Sequence, residues 1–261
     1  MVAPRFSHQR RLAYTALAAL LAVVFGFIFF GLTSLAIGWF QVLEGVAGPV
    51  TEIGYGALVG LILTIGLTSQ LRHPERRIAG LQQAALVIPS LATGSVLARD
   101  SQNVEPLVIL VPALALLWAL HPVRAEFLRP PNRLSPRLLA IALLGAVPLI
   151  AYAVAMGTAA QELSGPPHHV QRLSTMAALA VGIELTALLA ALRTPGWRIA
   201  SWSAATAMIV FGVASVLFPD HPASVGSLWG GLAIAGGVLF AAVAEWEARR
   251  SPASSQATPA A

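Results

Sequence analysis

The chain of 261 residues is 57% hydrophobic and only 10% charged, against the roughly 25% charged residues of an ordinary soluble domain, and this balance places it in the membrane class. Its formal net charge of +5 comes from arginine without any lysine. The arginines are confined to short loops between apolar runs, where they read as determinants of topology, so nucleic-acid binding is excluded. Cysteine is absent as well, which removes disulfides, thiolate metal sites and thiol nucleophiles, just as the lack of lysine removes Schiff-base chemistry.

Along the chain, Arg5, Arg10 and Arg11 precede an apolar run that continues to about Phe40. That run is much longer than the roughly 7–15-residue core of a signal peptide, and an uncleaved first span is expected. Spans are predicted near 13–37, 48–70, 78–98, 105–120, 138–159, 173–192, 199–218 and 225–245, each close to the length that crosses the hydrocarbon. Pro89, Pro112 and Pro148 lie inside three of them and are expected to bend their helices. With eight spans, fourteen arginines fall on one side and only Arg99 and Arg172 on the other, an asymmetry that puts both termini in the cytoplasm. The arginine-only, alanine-rich composition points to a bacterial inner membrane. The fold expected is therefore all-α and polytopic, with a first four-helix half over 1–122, a basic, proline-rich linker over 123–136, a second half over 137–248 and a disordered tail over 249–261. The bilayer is the expected surrounding, and a second copy or a partner subunit in the membrane is left open.

The two halves share sequence. VGLILT, LRHPERRIA and GSVLARD in the first recur as VGIELT, LRTPGWRIA and ASVLFPD in the second, with fourteen identities that include Gly60/Gly182, Thr64/Thr186, Pro74/Pro195, Ser95/Ser215 and Asp100/Asp220. Four spans per half, an even number, makes the copies parallel repeats about an axis along the membrane normal. They differ at Ile62 against Glu184 and at Ser101 against His221.

The differences direct attention to function. Glu184 falls near the middle of the sixth span, where a charged carboxylate costs about 2.5–3.5 kcal/mol or more; it should face the bundle, protonated or paired. Such a group suits a proton-coupled carrier, and equally a general acid acting on a lipid. A second candidate is the extracytoplasmic rim. Glu52 and the pair Asp220–His221 are expected at an outer mouth, with Glu52 either lining a vestibule toward Glu184 or reaching up to the headgroups from the first helical turn. His168, His169, His221 and Glu162 offer imidazole and carboxylate for a divalent metal, although no HxxxH or HExxH spacing occurs.

Eight spans in a four-plus-four parallel duplication, with an acidic residue at the outer end of span 2, resemble the layout of heme A synthase. The chain departs from that family at the outer ends of spans 2, 4 and 8, where no histidine occurs, and in lacking loop cysteines. His169 before span 6 is the one positional match, so no heme ligands carry over. The leading expectation is a small transporter or permease-like carrier with Glu184 as its protonatable midplane group. The alternatives are a membrane-embedded enzyme on a lipid or isoprenoid-like substrate with Glu184 as general acid, and a non-catalytic subunit or assembly factor.

Overall fold

The computed structural model of the protein describes residues 8–40, 45–127, 134–163 and 167–250. Among these residues every regular element is helical: α1 (His8–Val23), α2 (Gly31–Ile37), α3 (Pro49–Gly56), α4 (Ile65–Ser69), α5 (Ile78–Ala98), α6 (Glu105–Leu120), α7 (Pro136–Glu162), α8 (Pro167–Ala191), α9 (Trp197–Leu217) and α10 (Gly226–Arg250). Seven stretches are long and apolar enough to cross a membrane; α1 with α2 makes the first, and α3 with α4 the second. The remaining apolar helix, α6, has 16 residues, about 24 Å of rise. The expected linker falls partly, and the expected tail wholly after Arg250, outside the described residues.

The prolines do not break the spans. α5, α6 and α7 run through Pro89, Pro112 and Pro148 as single helices. The interruptions come instead in the first two spans, which contain no internal proline. π-helical turns occupy Val24–Ile28 and Ala57–Thr64, and Phe30 takes a left-handed backbone with φ 57° before the chain re-enters a helix at Gly31. Both interruptions sit where backbones are pressed together: a Cβ added to Gly31 would lie 2.8 Å from the carbonyl oxygen of Phe25 and 3.0 Å from the amide nitrogen of Gly60.

Wider turns loosen the ordinary carbonyl pairing, and side chains take up the slack. The Thr64 hydroxyl donates to the carbonyl of Val59 at 2.7 Å. The Gln83 amide on α5 donates to the carbonyl of Ile62 at 2.6 Å and to the hydroxyl of Ser203 on α9 at 2.9 Å. One buried glutamine thus ties the interrupted second span to both α5 and α9.

The second span and α8 are the most buried of the spans, whereas α7 and α10 expose most of their surface. α5 packs along α8, α9 packs against α8 and the π-helical turns, α7 packs mainly on α8 and α10 mainly on α9, and α7 and α10 share a smaller contact. α6 returns the chain to the beginning of α1, where the Arg10 side chain reaches the carbonyl of Ala119 and the Tyr14 ring meets His121 edge-on at 5.3 Å.

Charge is tied down at the arginine-rich end. Arg198 holds Glu245 through a fork of hydrogen bonds, joined by the indole N–H of Trp202. Glu247 lies 3.6 Å from both Arg137 and Arg193, and Arg137 and Arg250 both lie over the ring of Trp246. Trp246 and Trp197 thus serve as ring partners of arginine.

Candidate functional site

Two cavities on different faces of α8 contain the polar residues that matter. The larger, about 580 Å³, lies among α7, α8, α9 and α10. It exists because small side chains face one another there: Ala187 on α8, Ala204 and Ala205 on α9, Gly145 on α7, and Ala233 and Gly236 on α10. Glu184 stands in its inner wall and, among the described residues, is the one carboxylate or basic side chain lining it. The side chain is buried, at 8% exposure, and Oε1 has no hydrogen-bond partner. Tyr152 lines the same cavity, its hydroxyl donating to the carbonyl of Ala223 at 2.7 Å, which fixes the turn between α9 and α10 over one end.

The outer wall of this cavity is incomplete. Leu144 on α7 is 77% exposed and Leu232 on α10 is 52% exposed, although both line it. The space where a side chain at Gly145 would project is open. The exposed part of the wall lies between α7 and α10, on apolar helices that in a bilayer would meet acyl chains. A carboxyl in such a place is stable as the neutral acid or against a polar partner, and the surrounding walls offer Oε1 none.

In the first half the same motif position is filled differently. Ile62 is fully buried and lies in the π-helical turns, its carbonyl held by Gln83. Thr64 satisfies Val59, whereas its counterpart Thr186, in regular α-helix, has a buried hydroxyl with no partner. The sequence difference Ile62/Glu184 is therefore also a difference in backbone.

The smaller cavity, about 290 Å³, lies at the arginine-poor end beside the break in the first span. Glu52, in the first turn of α3, accepts a hydrogen bond from the Ser34 hydroxyl at 2.5 Å and pairs with Arg172 of α8 at 2.7 Å. Tyr55 donates to the carbonyl of Phe29 at 2.6 Å, capping the end of the broken helix. His168 and Gln171 line the same space.

Of the remaining expected residues, His168 borders the smaller cavity, while His169, Glu162, Asp220 and His221 line neither. Among the described residues none lines both cavities: Glu52 borders the smaller and Glu184 the larger. Asp220 is exposed, and His221 accepts from the amide of Ala223 at 3.0 Å through Nδ1, shaping the α9–α10 turn. His168 and His169 touch each other edge-on at 4.5 Å, and Glu162 is exposed at the end of α7. Among the described residues no group of three or more histidines and carboxylates converges in the way a metal ion requires.

Gln83, Tyr152, Ser34 and Arg172 were absent from the residues singled out by the sequence. Only Arg172 carried a signal, as one of two arginines on the side that the topology keeps poor in positive charge.

What the described residues define is a helical integral membrane protein, with one cavity among α7, α8, α9 and α10 and another at the arginine-poor end. Comparison with protein-family models, with curated proteins and with solved structures finds no match to this chain.

Proposed function

We propose that the protein takes an uncharged isoprenoid- or acyl-chain lipid sideways from the bilayer into the cavity among α7, α8, α9 and α10. There it acts as a membrane-embedded enzyme in which the neutral Glu184 carboxyl donates a proton to an oxygen of the bound molecule. The observation that carries this reading is a buried carboxyl without a partner in the wall of a lipid-facing apolar cavity. A bound oxygen function would supply the hydrogen-bond partner that Oε1 lacks, and among the described residues no arginine or histidine lines that wall to favour a phosphorylated head group. The lateral opening favours this reading over a carrier, which needs a water-accessible path to the same residue.

The frame of the reading is two parallel four-helix halves in a bacterial inner membrane, with both termini cytoplasmic. In support, Gly54 abuts Met176, and adding 122 to the first residue number gives the second, the same offset that relates Gly60 to Gly182. Equivalent positions meet each other on a twofold axis, and this contact is where such an axis would pass.

The test is native mass spectrometry of protein extracted from its own membranes. A neutral lipid adduct of defined mass is expected, lost in Gly145→Phe, whose Cβ would enter open space at the cavity wall. In Glu184→Gln the adduct should persist while conversion of the lipid stops. No adduct in the wild type, or an adduct indifferent to Gly145→Phe, rejects the lipid site; undiminished conversion in Glu184→Gln rejects the acid role.

A further inference from the structure

We propose that the cavity at the arginine-poor end is a separate binding site for a small anionic group, a carboxylate or phosphate, held by the guanidinium of Arg172. It is independent of the reading of Glu184. Three observations converge on it.

The first is the placement of Arg172. Positive charge is disfavoured on that side of a membrane protein, so an arginine there has a local cause. Its observed partner, Glu52, is 120 residues away on another helix and is itself largely shielded from solvent, with side-chain exposures of 30% for the arginine and 15% for the glutamate. The pair engages one terminal nitrogen of the guanidinium. A guanidinium carries five N–H donors in a planar fork, so the second edge remains to receive an anion while Glu52 and Ser34 hold the first edge in position.

The second is the space and its lining. The cavity of about 290 Å³ is bordered by Arg172, His168 and Gln171 from one helix and by the interrupted first span from the other side. The amide of Gln171 and an imidazole N–H of His168 add hydrogen-bond donors for acceptor oxygens. Both carboxylate oxygens of Glu52 are already engaged, by Ser34 and by Arg172, so the acid acts as the orienting group, and the unengaged chemistry is predominantly donor.

The third is backbone strain at its edge. Phe30 lines the cavity, is 59% exposed and has a φ of 57°. A bulky residue in the left-handed region is strained and persists where its surroundings enforce it, commonly at binding sites. Here Tyr55 enforces it by capping Phe29, and the result is a broken helix whose end borders the cavity.

A lipid head group and a free solute would present the same chemistry. Isothermal titration of the purified full chain with inorganic phosphate and with acetate tests the free anion. Reconstitution in nanodiscs of phosphatidylglycerol or phosphatidylcholine, read by thermal midpoint, tests the head group. Saturable binding in one arm is expected, weakened at least about tenfold by Arg172→Gln. Because Arg172 also ties α3 to α8, His168→Ala and Gln171→Ala are the control variants. They leave the Glu52 pair in place, and each should weaken binding several-fold while the thermal midpoint without ligand is unchanged. Failure of phosphate, acetate and the anionic nanodisc alike to bind the wild type overturns the proposal, as does binding that none of the three variants weakens. Neither result bears on the lipid adduct at Glu184.

Discussion

Replacing Glu184 by leucine is expected to raise thermal stability in detergent. The carboxyl is buried with an unpartnered oxygen, and removing such a group relieves about 1–3 kcal/mol of desolvation. Gln83→Leu should do the reverse by about the same amount, since it strips the hydrogen bonds that Ile62 and Ser203 now receive; melting curves of the two variants against the wild type decide both. A third residue gives a pH dependence. Burial pushes His121 from the ordinary 6.5 down to about 4, against the opposing pull of the Pro74 backbone and the Glu75 carboxylate, so the fold selects the neutral ring. Its contribution is complete above pH 6.5. As the pH falls below that value the unfolded chain takes up the proton first, and stability declines until about pH 4, where the folded protein is protonated too. The decline attributable to this residue is about 3 kcal/mol. It should be absent in His121→Asn, whose Oδ1 can still accept from the amide of Val123, as Nδ1 does now at 3.2 Å. Stability measured from pH 7.5 to 4 in both proteins is the check, and parallel curves would assign the acid sensitivity to other groups.

At the scale of the helices, close approach and open space can be separated by one methyl group. A Cβ at Gly94 of α5 would overlap the carbonyl oxygen of Ser174 on α8, whereas one at Gly145 of α7 would meet nothing within 4 Å. Gly94→Ala is therefore expected to lose about 1–3 kcal/mol by prising apart a central helix pair, and Gly145→Ala to be near neutral. Equal losses in the two melting midpoints would contradict the packing described for α5 and α8. This contrast also marks what sequence could reveal. Hydrophobic length located the helices, and comparison of the two copies isolated Glu184 because a carboxyl in place of Ile62 stands out against apolar neighbours. The interruptions were not legible, because π turns at Ala57–Thr64 depend on which carbonyls find a side-chain donor, and that donor, Gln83, comes from another helix. Pro89, Pro112 and Pro148, by contrast, lie within continuous helices. The cavity beside Glu184 was also hidden, since facing alanines and glycines read equally well as close packing.

For the molecule as a whole, the question that decides its topology is whether α6 crosses the bilayer. At about 24 Å of rise its 16 residues fall short of the roughly 30 Å hydrocarbon layer, a mismatch that local thinning accommodates at modest cost. Its contacts argue for crossing: α6 starts beside the end of α5, while Gln82, near the start of α5, donates to the carbonyl of Phe127 beyond the end of α6 at 2.9 Å. The two helices thus run antiparallel from one end of the molecule to the other. The chain contains no native cysteine, so single cysteines report sidedness without background. Ser101→Cys and Asp220→Cys, both at exposed positions, should react with a membrane-impermeant maleimide from one face. Ala125→Cys and Arg72→Cys, also exposed, should react only from the face that carries the arginine-rich loops. If Ala125→Cys is labelled from the same side as Ser101→Cys, α6 does not cross, the chain has seven crossings, and two parallel halves of four helices cannot be built from it.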